Sequence, residues 1–430
     1  MKANIPEVKN KRIVVIGGGF AGLSLCRKLI KSTYQVVLLD KHNYHMFQPL
    51  FYQVATAGLE PSAISFPFRK VFQSKKNIHI RKTEVLTIEP ENNRVITTIG
   101  IVNYDYLVIA TGATTNYFNN QGIEEMSFPM KSVSEALGLR NNILQTFENI
   151  LISEDSEELE GMLNFVIVGG GPTGVETSGA LADMKRFILP KDYPEINFNK
   201  MNICLVEANS RLLKGMSEHS SKKVYQYLCQ LGVNVMLNTA VKQYDGKVLY
   251  FSNGVSMKAD TLIWAAGVKG NFIDGMNTGV KSRNNGLQVD QYNLVKTYSN
   301  VYAVGDIAFL TSGKFPEGHP QVAQVAIQQA NNLAANFIRM ECEQQLKPFV
   351  YKDLGNMATV GRNLAVVDLP FVKFGGFFAW LVWMFIHLKS ILGVKNKVLT
   401  FINWVWNYFT YDQSLRLIIK SKNKPKKVMV

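Results

Sequence analysis

The stretch Ile13–Gly22 of this 430-residue chain reads IVVIGGGFAG, and it decides the fold. A short apolar run that breaks directly into glycines is typical of a buried strand and a tight turn, and the spacing of Leu23 and Leu25 continues as a helix. The run Gln35–Leu39 (QVVLL) then predicts a second strand, which ends in Asp40. Strand, turn, helix and strand in this order predict a βαβ unit.

The glycines of this turn have the spacing of a nucleotide site. Gly17 would make the turn, Gly19 would let the backbone approach a pyrophosphate, and Gly22 would allow close packing of helix and strand. The helix N-terminus offers unpaired N–H groups and a positive dipole end to the phosphates. Asp40, 18 residues after Gly22, can accept hydrogen bonds from a ribose. A dinucleotide site is favoured over the alternative of a bare structural turn.

The same pattern recurs 152 residues later, where FVIVGGGPTGVE places glycines at Gly169, Gly171 and Gly174. The next predicted strand ends in Glu207. A carboxylate there favours the free 2′-hydroxyl of NAD and repels the 2′-phosphate of NADP. Arg211, four residues further on, would weaken that preference. The repeat predicts a second dinucleotide site that prefers NAD.

Two dinucleotide sites in one chain imply electron transfer between two cofactors, and a flavin with a nicotinamide is the natural pair. Asp306 supports this, because it ends a strand-like run, VYAVGD, and can bind a hydroxyl or phosphate; a helix cap is the alternative. The predicted fold class is α/β, with two Rossmann-like dinucleotide-binding domains, for FAD and NAD, and a C-terminal amphipathic helical region. The predicted helix over 322–340 should begin near Pro320, and the acidic segment 152–160 should be a solvated linker.

The predicted domain boundaries follow these motifs. They are, in chain order, a first part of the FAD-binding domain at 1–118, an NADH-binding domain at 119–280, a second part of the FAD-binding domain at 281–345, and a C-terminal membrane-anchoring or dimerisation region at 346–430.

The net charge of +14 is concentrated at the C-terminal end. Residues 371–430 hold ten Lys and Arg against one acidic residue, together with Trp380, Trp383, Trp404 and Trp406. Tryptophans at an interface with lysines that reach anionic headgroups are typical of helices lying in one leaflet. Five lysines within 420–427 would add to the attraction. This pattern predicts anchoring to an anionic membrane surface; a buried dimerisation region is the alternative, and both can hold.

Other partners and chemistries are disfavoured. The C-terminal aromatics are mixed with aliphatic residues, unlike the base-stacking aromatics of nucleic-acid sites. The four cysteines and six histidines show no metal-ligand spacing, so no metal is predicted. Cys26 stands alone in the first helix, whereas disulfide reductases need two thiols beside the flavin. The N-terminal segment has no signal-peptide pattern, which predicts folding in the cytoplasm.

Taken together, the motifs resemble the two-dinucleotide-binding-domain flavoproteins, and three features resemble the type II NADH:quinone oxidoreductases. These are NYHMFQPLFYQVATAGL at 43–59, AQVAIQ at 323–328, and the aromatic, basic C-terminal region, which is similar to the family's membrane anchor. The resemblance implies a monotopic enzyme that oxidises NADH and reduces a membrane quinone through FAD without pumping protons. It implies a location on the cytoplasmic face of a bacterial-type inner membrane, and we expect a homodimer.

The resemblance also implies site residues. The FAD-contacting set would be Gly17, Gly19, Gly22, Asp40, Lys41, Thr111, Gly112 and Asp306. The NADH-contacting set would be Gly169, Gly171, Gly174, Glu176, Glu207 and the turn Ala266–Gly267. Glu176 matches the family's acidic residue beside nicotinamide and flavin, and Gln324 and Gln328 match its quinone-site glutamines.

Each of these roles has a structural alternative. Glu176 in the first helical turn is favoured by the helix dipole alone. The glutamines, which share a helical face at i, i+4, are otherwise ordinary exposed residues. For the whole chain, the alternatives are a soluble NAD(P)H-dependent flavoprotein reductase of a redox-protein acceptor and a non-catalytic NAD sensor.

Overall fold

A computed structural model describes residues 3–413 and 415–419. Its strands, numbered in chain order, are β1 (Arg12–Ile16), β2 (Gln35–Asp40), β3 (Tyr44–Met46), β4 (Ser65–Pro67), β5 (Ile78–Lys82), β6 (Val85–Glu89), β7 (Arg94–Thr97), β8 (Gly100–Asn103), β9 (Tyr106–Ile109), β10 (Ala113–Thr115), β11 (Phe128–Pro129), β12 (Asn164–Val168), β13 (Asn202–Val206), β14 (Val233–Met236), β15 (Val241–Tyr244), β16 (Val248–Phe251), β17 (Ser256–Lys258), β18 (Thr261–Trp264), β19 (Val268–Gly270), β20 (Leu287–Gln288), β21 (Val301–Ala303), β22 (Ala308–Phe309), β23 (Asn356–Gly361), β24 (Leu364–Asp368) and β25 (Lys373–Gly375).

The helices are α1 (Phe20–Lys28), α2 (Phe51–Ala55), α3 (Phe68–Val71), α4 (Gln121–Met126), α5 (Val133–Ile150), α6 (Ser156–Leu163), α7 (Pro172–Phe187), α8 (Leu189–Asp192), α9 (Glu218–Gln230), α10 (Ala323–Glu341), α11 (Phe377–Ser390) and α12 (Val394–Thr410).

The chain forms two compact units. The first contains the chain up to Met46, with Ser65–Asn116 and Val268–Leu354; the second contains Phe47–Ile64, Tyr117–Gly267 and the chain from Gly355 onward. The division into four domain segments made from the sequence stays a prediction.

The first unit is built on a five-stranded parallel sheet in the order β21-β9-β1-β2-β5. The central strand β1 is apolar on both faces, so Val14 and Val15 are fully buried. Helices α1 and α10 pack against each other. A sheet of parallel strands covered by helices explains why these strands read as continuous apolar runs.

The second unit repeats this arrangement with the parallel order β11-β18-β12-β13-β14. The two βαβ units predicted from the sequence are therefore confirmed. Helix α7 follows β12 and packs against β23, part of a small antiparallel sheet β23-β24-β25. Gly179 makes this contact possible, because a Cβ there would lie 1.6 Å from the carbonyl oxygen of Val360.

The predicted C-terminal helical region forms the two helices α11 and α12, with Gly393 directly before α12. Both helices begin at a glycine with positive φ: Gly376 at +88° and Gly393 at +80°. Among the residues that the structure describes, no helix is long and apolar enough to cross a membrane. The lysines expected within 420–427 lie outside the described residues.

Two local expectations differ from the structure. The acidic segment is not wholly a linker: Asp155 accepts a hydrogen bond from the Glu157 N–H and starts α6. Helix α10 begins at Ala323 rather than near Pro320. Of the four C-terminal tryptophans, Trp383 and Trp404 face inward, being only 1% and 8% exposed. The spacing of aromatics alone did not separate the inner from the outer faces of these helices.

Candidate functional site

The two glycine turns have the same geometry. Gly17 and Gly169 have φ of +98° and +111°, and a Cβ on either would lie 2.4 Å from a carbonyl oxygen of the neighbouring strand's end. A Cβ on Gly22 or Gly174 would lie 1.9 Å from the carbonyl oxygen of the first glycine of its own motif. Both turns therefore require glycine for close backbone contact.

The middle glycines show that the turns fit a dinucleotide. A Cβ built on Gly19 or Gly171 would meet no atom within 4 Å, so the backbone at both positions faces open space at the start of a helix. That is the space a pyrophosphate needs to approach the helical N–H groups, and a side chain would fill it. The residues present thus fit FAD in the first unit and NADH in the second.

An acidic side chain closes each turn. The Asp40 carboxylate accepts hydrogen bonds from the N–H of Gly18 at 2.6 Å and of His42 at 2.7 Å. Burial raises the pKa of Asp40, and these two N–H groups lower it in part. In the second unit Glu207 accepts from the Gly170 N–H at 2.5 Å and from the backbone N–H of Asn209 at 2.7 Å. Each acid is therefore fixed where a ribose would lie.

The Arg211 side chain bonds to groups other than Glu207. Its guanidinium donates to the carbonyl oxygens of Met216 at 3.0 Å and Lys214 at 2.9 Å, and to the hydroxyl of Ser221 at 3.2 Å. These bonds hold the loop after β13 closed. Because the guanidinium is engaged in these bonds, the structure does not support the expectation that Arg211 weakens the preference for NAD over NADP.

The remaining cofactor candidates lie at the carboxyl ends of the parallel strands. In the first unit Thr111 and Gly112 follow β9, Asp306 follows β21, and the exposed Lys41 follows β2. The Thr111 hydroxyl donates to the carbonyl oxygen of Asn271 at 2.7 Å. In the second unit Gly267, with φ of +140°, follows β18. Ligands of open α/β sheets bind at this edge, and the sheet order brings the candidates of each set there.

Glu176 lies in the first turn of α7 and is buried, being 7% exposed. Burial raises the pKa of its carboxyl to about 8, against the lowering effect of the Thr359 N–H at 3.4 Å and the indole of Trp383. A carboxyl that keeps its proton near neutral pH can donate a hydrogen bond or a proton.

Glu176 lines a cavity of about 160 Å³ inside the second unit. Its walls come from α2, α7, β23, α11, α12 and the segment after α12. Seven of its lining residues are aromatic: Tyr52, Phe187, Trp380, Trp383, Trp404, Tyr408 and Tyr411. A second carboxyl, Asp183, lies two helical turns after Glu176 on the same face of α7 and also lines the cavity. Burial raises the pKa of Asp183 to about 6, partly offset by the N–H and charge of Arg362.

Arg362 closes one side of this cavity. Its guanidinium lies 4.2 Å from the ring centre of Tyr408 and 3.7 Å from that of Tyr411, and it donates to the carbonyl oxygen of Tyr408. Its backbone N–H donates to Asp183 at 3.0 Å. These contacts attach the end of α12 to the β23 turn.

The candidate quinone glutamines lie on α10 in the first unit. The Gln328 amide donates to the carbonyl oxygen of Lys352 at 2.9 Å and accepts from its N–H at 3.0 Å. The Gln324 oxygen accepts from the Leu354 N–H at 3.0 Å. Both side chains therefore bind the segment before β23, and their quinone role stays a prediction.

Sequence reasoning missed most of the cavity residues. Tyr52 lies in the 43–59 motif and Trp383 in the C-terminal aromatic region, but neither pattern assigned them to a cavity. Asp183 and Arg362 lie outside every motif quoted from the sequence. One signal was available: Glu176, Ala180 and Asp183 repeat at i, i+4 and i+7 within α7, which marks one face of that helix. Cys26, which stands alone in α1, is fully buried, and this burial raises the pKa of its thiol to about 12.

Comparison with known proteins matches both parts of the chain. The pyridine nucleotide-disulphide oxidoreductase family matches residues 11–330, and the NDH2 C-terminal domain family matches residues 354–411. The type II NADH:quinone oxidoreductase Ndh of Mycobacterium tuberculosis is 33% identical over 422 residues, which cover 94% of this chain and 89% of that protein. The type II NADH:quinone oxidoreductase of Haemophilus influenzae is 29% identical over 395 residues, covering 85% and 88%.

Solved structures agree in fold. NDH2 from Plasmodium falciparum, solved in complex with NADH, has a TM-score of 0.87 at 23% identity and covers 96% of this chain and 100% of that chain. The sulfide:quinone oxidoreductase of Aquifex aeolicus has a TM-score of 0.71 at 20% identity, covering 93% and 95%. At these identities the likeness concerns the fold alone.

Proposed function

Since this chain belongs to the type II NADH:quinone oxidoreductases, we propose that the cavity beside α7 is where it binds the quinone. The chain oxidises NADH and reduces a quinone without pumping protons. FAD bound in the first unit would supply the redox chemistry, namely hydride acceptance from NADH and delivery of both electrons to the quinone. The net reaction takes one proton from water: NADH, a proton and the quinone give NAD⁺ and the quinol.

The observation that best supports a quinone site is that aromatic walls and a protonated carboxyl occur in one cavity. A quinone head is a flat ring with two carbonyl oxygens, so it gains from aromatic walls and needs few polar partners. Tyr52 and Trp383 supply such walls, and Glu176 lines the same space. With its pKa near 8, Glu176 holds a proton at pH 7 that a reduced carbonyl oxygen can take up.

Substitution of Ala180 tests this assignment. Ala180 lies one turn after Glu176 and lines the cavity, so Ala180→Phe would fill the space the quinone needs. We expect the KM for quinone to rise about tenfold or more, equivalent to at least about 1.4 kcal/mol, while NADH bleaches the flavin at the normal rate. An unaltered KM for quinone would place the quinone outside this cavity.

We further propose that α11 and α12 attach the enzyme to an anionic membrane surface on the cytoplasmic side. Their outward aromatic side chains include Phe378, which is 74% exposed, and Phe409, which is 76% exposed. Lys389 and Lys395 are exposed on the same two helices. Apolar side chains with neighbouring lysines suit the boundary between headgroups and acyl chains. The homodimer stays a proposal as well, to be tested by the mass of the detergent-solubilised protein.

Vesicle flotation tests the membrane proposal. The double variant Phe378→Glu with Phe409→Glu should lose flotation with vesicles that contain anionic lipid, because two negative charges replace two exposed apolar rings. Ile152→Glu is the matched control, since Ile152 is 81% exposed but lies outside α11 and α12, two residues after the end of α5. Undiminished flotation of the double variant would rule out this face as the anchor.

A further inference from the structure

Tyr52 places a buried hydroxyl in the cavity near both carboxyls of α7. The side chain is 7% exposed and lines the cavity together with Glu176 and Asp183. Burial raises the pKa of the Tyr52 hydroxyl, and the charges of the two carboxyls raise it further. The hydroxyl therefore keeps its proton at pH 7 and lies within electrostatic reach of each acid.

A chain of hydrogen bonds fixes the direction in which Tyr52 donates. The indole Nε1 of Trp404, which can only donate, bonds to the Gln53 side-chain oxygen at 2.8 Å. The Gln53 amide nitrogen therefore faces the other way and donates to the Tyr52 hydroxyl oxygen at 2.8 Å. Because Gln53 supplies the hydrogen of this bond, Tyr52 must donate its own proton to a different group. The acceptors that the cavity offers include the carboxyls of Glu176 and Asp183.

The two carboxyls differ in their access to water. Glu176 is buried, whereas Asp183 is half-buried at the side of the cavity that Arg362 closes. Asp183 follows Glu176 by seven residues, which is a rise of about 10.5 Å along α7. The Tyr52 hydroxyl and water molecules in a cavity of about 160 Å³ can bridge this separation. The charged neighbours of Asp183 are Arg362 and, on α7 itself, Arg186.

Glu176 needs a source of protons. Each transfer of its proton to a quinone oxygen leaves a buried carboxylate, which must be protonated again before the next turnover. The indole N–H of Trp383 and the N–H of Thr359 donate to this carboxyl, but neither group releases its proton at neutral pH. Asp183, with a pKa of about 6, is the stronger acid and can give a proton to Glu176, with a pKa of about 8.

We propose that Asp183 and Tyr52 form a relay that returns a proton from water to Glu176 after each quinone reduction. This inference rests on the proposed role of Glu176 in the quinone cavity. The Tyr52 oxygen takes up a proton from the Asp183 side as its own proton moves to the Glu176 carboxylate, so no tyrosinate forms. The Asp183 carboxylate that remains takes a proton from water. One proton thus moves from water to Glu176, no electron moves, and the uptake equals the one proton that the net reaction consumes.

Asp183→Asn tests the outer member of the relay. The amide oxygen still accepts from the Arg362 N–H, but the exchangeable proton is lost. We expect the steady-state kcat for quinone reduction to fall about tenfold or more. The first turnover of NADH-reduced enzyme with quinone, measured by stopped flow at pH 7, should keep the parental rate because Glu176 already holds its proton. Asp260→Asn is the control: Asp260 is half-buried with a pKa raised by burial, but it does not line the described cavity.

Tyr52→Phe tests the inner member, since it removes the hydroxyl and keeps the ring. It should show the same slow steady state after a normal first turnover. Tyr193→Phe is the control, because the Tyr193 hydroxyl donates to Glu148 at 2.9 Å and does not line the described cavity. Added formate, a small carboxylic acid, should restore the kcat of Asp183→Asn, which loses only a carboxyl, and leave that of Tyr52→Phe low.

The outcomes separate the relay from the cavity assignment. A parental steady-state kcat in either relay variant would overturn the relay, as would an equal slowing of first turnover and steady state in Asp183→Asn without rescue by formate. A raised KM for quinone in Ala180→Phe together with either result would leave the cavity assignment intact. An unaltered KM for quinone in Ala180→Phe would overturn the cavity assignment and the relay together.

Discussion

Helices α1 and α7 follow the same glycine turn and then diverge. The third glycines, Gly22 and Gly174, make the same 1.9 Å approach to a carbonyl oxygen. Two residues later α1 has Ser24, where α7 has Glu176. Helix α1 ends after nine residues and packs against α10, whereas α7 continues for sixteen residues and packs against β23.

The difference separates two kinds of chemistry. The glycine turn binds a dinucleotide in either unit, because its function depends on backbone geometry. The acidic residues Glu176 and Asp183 belong to the face of α7 that lines the cavity, and α1 has no counterpart to Glu176. The glycine turn thus occurs in both units, whereas a buried carboxyl two residues after the third glycine occurs in α7 and not in α1.

The largest effect is expected when the third glycine of either turn is replaced by alanine, which adds a methyl group where the backbone is closely packed. Gly22→Ala should yield protein that purifies without flavin absorbance. Gly174→Ala should keep the flavin and bind NADH about tenfold to hundredfold more weakly, as overpacking by about 1–3 kcal/mol implies. Gly138→Ala is the control, because its Cβ would meet nothing within 4 Å. Equal loss of flavin in both motif variants would show that the two turns do not serve separate cofactors.

The difference between α7 and α1 is tested by substitution of Glu176. Glu176→Gln keeps the volume and removes the proton, so quinone reduction should slow by about tenfold to a hundredfold. In the parent enzyme the rate of quinone reduction should fall as pH rises through about 8, where Glu176 loses its proton. The variant should lack this decline. Ser24→Ala, at the matched position of α1, should leave both the rate of quinone reduction and its pH dependence unchanged. If Glu176→Gln showed the same pH dependence as the parent, Glu176 would not be the group that supplies the proton.

The acids that close the turns allow a smaller test. Glu207→Gln should raise kcat/KM for NADPH relative to NADH by about tenfold, because one like-charge repulsion of about 1.4 kcal/mol is lost. Arg211→Ala should leave this ratio near the parental value, since its guanidinium is bonded to Met216, Lys214 and Ser221. The steady-state ratio of the two coenzymes measures both. A large change of this NADPH/NADH ratio in Arg211→Ala would mean that the Arg211 guanidinium contacts the ribose or its 2′-phosphate.

The smallest expected effect is on stability. Between a pKa of about 4.3 in the unfolded chain and about 8 in the folded protein, folded Glu176 holds a proton that the unfolded state has released. The contribution of this group to stability therefore decreases as pH rises across that window. Glu176→Gln does not undergo this pH-dependent loss of stability, so the Tm of the variant minus the Tm of the parent should increase from pH 5 to pH 8. Each kcal/mol of difference in stability corresponds to about 2–4 °C. A difference in Tm that is constant with pH would contradict the buried, protonated state.

Much of the fold was predictable because its signals are contiguous. The runs before Gly17 and Gly169 predicted β1 and β12, and the acids at Asp40 and Glu207 marked the ends of β2 and β13. The helix α6 was missed because an acidic composition suggested solvation, although Asp155 supplies a cap.

The sequence by itself determined the two dinucleotide units and the family, since turn geometry depends on a few adjacent residues whose backbone conformation only glycine adopts. Only the tertiary structure decided which aromatic side chains face inward: Trp383 and Trp406 have similar surroundings in sequence, yet one is buried and the other exposed. Tertiary structure also paired Gln328 with Lys352 and brought Tyr52 to Glu176. The physical reason is that burial and cavity shape arise from packing of segments far apart in the chain, and no local pattern records which faces will meet.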